Sequence, residues 1–226
     1  MDRQVSVIGE EGLRFFGRIS ASISHELKNA LSIINEGAGL LEDLAAMSAK
    51  GLPFDTQRLP PLGEKIRRQV QKADLIIKRM NRLAHSVDVP TAPVDLEAML
   101  QQICELAERF AVMRNAGLDV APSTEPLQVV SAPFLLQNVV WLCIDFAIQS
   151  IRPGDRLVLQ AEKTGGGARV RIQAPSGLSH AAMDQFLPAD RFRVLLEGLN
   201  ATLAIDESRQ VIAIELPHKI DSERTG

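Results

Sequence analysis

From about Glu11 to Ala49 the chain runs without a proline and keeps one apolar side at helical spacing. With Ile23 set at zero and about 100° per residue, Leu27, Ala30, Ile34 and Leu41 fall within roughly 40° of it, and Phe16 lies close by. The stretch KGLPFDTQRLPP, residues 50–61, stops the pattern: Gly51 suits a helix C-terminus, and Pro53, Pro60 and Pro61 forbid continuation. A second stripe then runs through Leu62, Ile66, Val70, Ala73, Ile77, Met80 and Ala84. Both stripes keep a near-heptad beat, which favours helices crossing at a shallow angle. Two long helices on a short connection predict an antiparallel hairpin. One hairpin cannot cover both stripes, so the pattern predicts a four-helix bundle made by two copies.

The pattern changes at VDVPTAP, residues 87–93, where two prolines break the helical run. A helix is expected over Val94–Gly117, with Asp95 as its cap, followed by short strands at Leu118–Pro122 and Leu127–Val130. Pro133 opens a very apolar helix, Phe134–Ile151, whose composition places it centrally. Arg156–Lys163 and Ala168–Ala174 flank a glycine turn and predict a β-hairpin. Helical stretches near His180–Phe186 and Asp190–Asn200 precede a last hairpin, Ala201–Pro217. The expectation is an α+β chain of two domains: a helical hairpin over 1–90, and over 91–226 an α/β sandwich with a mixed sheet and helices on one face.

With 226 residues, the chain is long enough to bury a core in each half. A net charge of −3 gives no bulk reason to expect nucleic-acid binding. No stretch approaches the roughly 20 apolar residues that span a bilayer, and MDRQVSVIGEEG does not read as a signal peptide. Cys104 and Cys143 lie inside apolar runs and predict buried thiols, so a cytoplasmic location without membrane insertion is expected. Gly165–Gly167 lack the Lys-Ser/Thr pair of a phosphate loop and precede a strand, so they read as a hairpin turn. His85, His180 and His218 have no metal-ligand spacing.

The remaining histidine lies in ISHELKNALSII, residues 23–34. His25 falls about 200° from Ile23, on the solvent side, with Ser22, Asn29, Ser32 and Glu36. On helix geometry alone the position fits a reactive group and an idle surface histidine equally well.

The segment resembles the phosphoacceptor box of sensor histidine kinases, H-E-[LI]-[KR]-[NT]-P-L. His25, Glu26, Leu27, Lys28, Asn29 and Leu31 match it, and Ala30 replaces the proline. The resemblance covers nearly the whole chain. The hairpin is similar to the dimerisation and histidine-phosphotransfer domain, and residues 94–217 to the ATPase domain that follows it. It implies that His25 is the phosphoacceptor, that Glu26 orients the imidazole and takes its proton, and that Asn29 places water or a receiver's aspartyl phosphate. Imidazole, with a pKa of about 6.5 in water, is a neutral nucleophile near pH 7, which suits the chemistry.

The second half departs from the family where ATP would bind. The family's central helix ends in N-x-x-x-N-A-x-x-[AS], the second asparagine holding magnesium. Aligning Ala147 and Ser150 with the small residues puts Leu142 and Phe146 at the asparagines, and Asp145 lies about 100° around the helix. Where D-x-G-x-G should recognise adenine, the chain reads IQAPSGLS, residues 172–179: Gly177 survives, but Gln173 or Ala174 replaces the aspartate. The lid region between Leu178 and Asp190 holds no glycine. The expectation is therefore a dimeric histidine phosphotransferase that uses no nucleotide cofactor. It would exchange phosphoryl groups through His25 with response-regulator receiver domains, which bring their own Mg²⁺. Arg18, Ser22, Lys28 and Ser32 are read as exposed candidates for docking the receiver. Two alternatives stand beside it: a divergent but active kinase, and a scaffold that sequesters a regulator.

Overall fold

The structure, a computed structural model, describes residues 2–53 and 55–220, with side chains from residue 4. Helix α1 spans Asp2–Ala49 and α2 spans Leu59–His85, with a short 3₁₀ turn at Thr56–Arg58 between them. Ala30, standing where the resembling family has proline, keeps its backbone N–H and its helix propensity, so α1 runs on through the His25 segment. Then follow β1 (Ala92–Asp95), α3 (Leu96–Met113), β2 (Gly117–Val120), β3 (Gln128–Ser131) and α4 (Pro133–Ser150). The chain ends with β4 (Arg156–Thr164), β5 (Gly167–Gln173), α5 (His180–Phe186), α6 (Ala189–Gly198), β6 (Thr202–Asp206) and β7 (Val211–Pro217). Among the described residues, no helix is long and apolar enough to cross a membrane.

Two compact units result. One is the hairpin Ser20–Arg82; the other joins α1 up to Ile19 with everything from Leu83 onward. Packing thus does not divide into residues 1–90 and 91–226, because the first part of α1 belongs to the α/β unit. Phe15 and Ile19 are core residues there, and Phe15 packs on Phe134 and Trp141 at ring distances of 5.5 and 5.9 Å. Farther back, Glu10 and Glu11 pair with Arg191 of α6 at 2.6 and 2.8 Å.

The α/β unit holds a five-stranded mixed sheet of order β2-β4-β5-β7-β6, in which only β2 and β4 run parallel. Leu157, Leu159, Val170, Ile172, Ile212 and Ile214 alternate onto the buried face, against which α3 and α4 pack. The opposite face carries ion pairs: Arg169 with its register partner Glu215, and Arg171 diagonally with Glu162 at 2.7 Å. Strand β1, absent from the expected element order, pairs with β3 in a separate two-stranded sheet. Asp95 caps α3 as expected, accepting a hydrogen bond from the Ala98 N–H at 2.9 Å. Cys104 and Cys143 are buried free thiols, and desolvation pushes the Cys104 thiol up to about 12.

In the hairpin, α1 presents Ile23, Ala30 and Leu44 as buried residues, with Leu27 and Ile34 half-buried. Leu41, expected in this stripe, is exposed. Gly37 completes the seven-residue row, and a Cβ there would meet Ile66 Cγ1 at 2.7 Å, so the glycine lets α2 approach. On α2 the buried row in the hairpin is Leu62 and Ile76; Leu83, next in that row, belongs to the α/β unit. Two members of the expected α2 stripe, Val70 and Ile77, are 51% and 47% exposed. The expected stripe spans three heptad rows: Leu62 lies in the buried row, Ile66, Ala73 and Met80 beside it are half-buried, and Val70 and Ile77 lie one row farther out.

Candidate functional site

The ion pair Glu36–Lys65, at 3.4 Å, and the Gly37–Ile66 approach fix the level at which α1 and α2 meet. One side of the hairpin therefore carries the α1 row Asn29–Glu36–Asp43 beside the α2 row Lys65–Lys72–Arg79. On the other side lie the exposed apolar residues Leu31, Val70 and Ile77.

His25 stands on the solvent side of α1 and is exposed. Asn29 and Ser32, one and two turns on, are exposed on the same face, and Lys28 is exposed beside them. Glu26, next in sequence, is half-buried. A shallow depression of about 540 Å³, lined by Ser24, Leu27, Lys28, Leu31, Ser32 and Asn35, adjoins this face. Leu31, 59% exposed, and half-buried Leu27 are the apolar residues that line the depression.

Of the candidate docking residues, Arg18 is exposed as expected, and Ser22 is not. Ser22 is 5% exposed, so it is no part of an open polar row. Arg18 belongs to the α/β unit, where both of its terminal nitrogens donate to the Asp145 carboxylate, Nη2 to Oδ1 at 3.0 Å. Its guanidinium also lies over the rings of Phe110 and Trp141, 5.4 and 5.5 Å from their centres. An arginine two turns before His25 looked like a surface cation; Asp145 and the two aromatic residues lie too far along the chain for periodicity to have revealed them.

The same contacts test whether the α/β unit suits a nucleotide and its cation. Asp145, the one carboxylate on α4 and the chain neighbour of Phe146, is 2% exposed and its oxygens are taken by Arg18. Phe146, at the magnesium position itself, is buried and packs on Phe186 of α5 with ring centres 5.7 Å apart. At the adenine position Ala174 is buried, and the Gln173 amide donates to the carbonyls of Ala174, Arg209 and Gln210 at 3.1, 2.7 and 3.3 Å. Gly177 is retained for packing: its φ is +93°, and a Cβ would lie 2.1 Å from the Ser150 carbonyl oxygen. Leu178 is clasped by both ends of the Gln210 amide, at 2.7 and 3.1 Å. His180 is held by Glu207, its N–H donating at 2.9 Å. That bond and the nearby imidazole hold the Glu207 carboxyl below its usual range. The segment in the lid position is thus a short tethered helix. These residues do not fit a nucleotide and its metal: the ligands are spent or apolar.

No family model and no curated protein matches the chain. Among solved structures, the catalytic domain of histidine kinase ThkA is similar over 59% of this chain and 100% of its own, at 14% identity and a TM-score of 0.49. Histidine kinase AdeS of Acinetobacter baumannii is similar over 86% of this chain and 98% of its own, at 15% identity and a TM-score of 0.46. ThkA solved in complex with the response regulator protein TrrA is similar over 92% of this chain and 64% of its own, at 14% identity and a TM-score of 0.47.

Proposed function

We propose that the chain is a dimeric histidine phosphotransferase of a phosphorelay, and that His25 carries the phosphoryl group. The observation behind this reading is an exposed histidine in a H-E-L-K-N segment on an uninterrupted helix, in a chain whose nucleotide-site positions are filled by its own side chains. In the forward step an imidazole nitrogen attacks the phosphorus of an aspartyl phosphate on a receiver domain. The P–N bond forms, the P–O bond to the aspartate breaks, and the carboxylate leaves. The proton of the second imidazole nitrogen passes to Glu26 or to water. The reverse step regenerates an aspartyl phosphate on the same or another receiver. The receiver contributes the aspartate and its Mg²⁺. This chain contributes the nucleophile, its orientation and the surface that brings the two into line.

The exposed Leu31, Leu41, Val70 and Ile77 support a second copy packed on the hairpin, completing four helices. The test is a labelling experiment with two donors. Purified protein is incubated with radiolabelled ATP alone, then with a phosphorylated receiver and no ATP. Label on His25 from the receiver only is the expected result. Label from ATP alone would establish a kinase instead, and no label from either, with tight receiver binding, would leave a scaffold.

A further inference from the structure

Helix α2 is far more basic than the chain it belongs to. Its sequence LPPLGEKIRRQVQKADLIIKRMNRLAH holds seven lysines and arginines against two acids, while the whole chain has a net charge of −3. The charges are not spread evenly. Arg68, Lys72, Leu75 and Arg79 follow one another at helical spacing and share one face. Lys65, in the row of Lys72 and Arg79, reaches Glu36 of α1 at 3.4 Å, so this face borders the Asn29–Glu36 row. One heptad along from that pair, the antiparallel helices bring Lys72 level with Asn29, a turn from His25. At that level α1 offers the neutral Asn29 and Ser32, with half-buried Glu26 the one carboxylate beside the histidine. Arg68 and Lys72 are exposed and have no ion-pair partner among the described residues. One turn past Lys72 on the same face, between it and Arg79, lies Leu75, a leucine 43% exposed to water.

We infer that this face of α2, Arg68, Lys72 and Leu75, is a docking surface for an acidic protein face, and that it selects acidic receiver domains for delivery to His25. The inference rests on the reading of His25 as the phosphoacceptor, and it adds the chemistry of the partner. Cations around an exposed apolar centre suit a folded protein whose carboxylates ring a small apolar patch. An extended polyanion fits less well. The basic strip occupies one side of one helix, and the part of α1 in the same hairpin, residues 20–49, holds four acids against one base, which repel a longer run of negative charge. Charge of this kind acts chiefly on the encounter rate and on discrimination between partners.

The measurement is binding of the full chain to unphosphorylated receiver domains graded from strongly acidic to neutral, over a salt series. The most acidic receivers should bind tightest, and their affinity should fall as salt rises. The double variant Arg68→Ala/Lys72→Ala should weaken binding about five- to tenfold at low salt and flatten the salt dependence, while Lys72→Arg should retain affinity. Leu75→Ala should weaken binding at every salt concentration without changing the slope. Equal affinity for acidic and neutral receivers, or an unchanged salt slope in the double variant, would overturn the inference. So would tighter binding to duplex DNA or to vesicles of anionic lipid than to any receiver. Labelling of wild-type His25 by phosphoramidate, a small donor that needs no docking, is scored separately. A labelled histidine with charge-blind receiver binding sinks the docking surface alone. Charge-selective binding with no label on His25 sinks the phosphoacceptor reading alone.

Discussion

At the scale of single residues, the reactive group and the structural ions make opposite predictions. His25 is exposed on the solvent side of α1, so His25→Gln should abolish phosphoryl uptake from a receiver and leave the unfolding midpoint unchanged. A shift of the melting temperature by several degrees would mean that the histidine is a packing residue. Arg18 is the converse case. Arg18→Ala leaves the Asp145 carboxylate buried with no counter-charge. The loss should be about 3 kcal/mol, at the lower end for a broken buried pair because the guanidinium is 43% exposed. Urea unfolding checks it, and the double variant Arg18→Met/Asp145→Leu should recover most of the loss. The exposure of His25 was legible because a helix angle alone decides it. The role of Arg18 was not, since its partners stand on α3 and α4, far along the chain.

At the scale of elements, two glycines on α1 separate packing from propensity. A side chain at Gly37 must displace Ile66, so Gly37→Leu should cost about 1–3 kcal/mol by forcing α1 and α2 apart. Nothing lies within 4 Å of a Cβ at Gly39, so Gly39→Ala should gain up to about 1 kcal/mol from helix propensity. Thermal unfolding of the pair shows whether the close approach at Gly37 is required. The contact of α1 with α6 predicts a pH effect. Arg191, by hydrogen bond and then by charge, holds the Glu10 carboxyl below its usual range. A depressed carboxyl stabilises the fold above its unfolded pKa of about 4.3, and that contribution is lost as pH falls through the folded value. Urea midpoints from pH 6 down to 3 should therefore drop less steeply in Glu10→Gln than in the wild type. Most elements could be read from the chain because periodicity and proline are local signals. Strand β1 could not: APVD is four residues long and exists by pairing with β3, more than thirty residues away. Nor could periodicity tell that the start of α1 is covered by α4 and α6, because a stripe shows which side is buried and not by what.

At the scale of the molecule, the open question in the hairpin is what covers its second apolar side. The core rows of α1 and α2 satisfy each other through Ile23, Ala30, Leu62 and Ile76. Leu31, Leu41, Val70 and Ile77 stay 59%, 37%, 51% and 47% exposed in one chain, and they gather on the side away from the Glu36–Lys65 pair. Burying what is still exposed of each side chain would add about 1 kcal/mol, roughly half the value for a fully exposed one, and a symmetric partner would bury every one of them twice. A charge at the middle of such a face has no way to reach water once the partner docks. The expected outcome is that the wild-type chain sediments as a dimer at micromolar concentration, whereas Val70→Glu/Ile77→Glu sediments as a monomer. Both positions are already exposed in the single hairpin, so far-ultraviolet circular dichroism of the variant should keep its helical signal. A wild-type monomer at tens of micromolar would remove the four-helix bundle from the reading. A variant that stayed dimeric would place the contact between copies elsewhere on the chain.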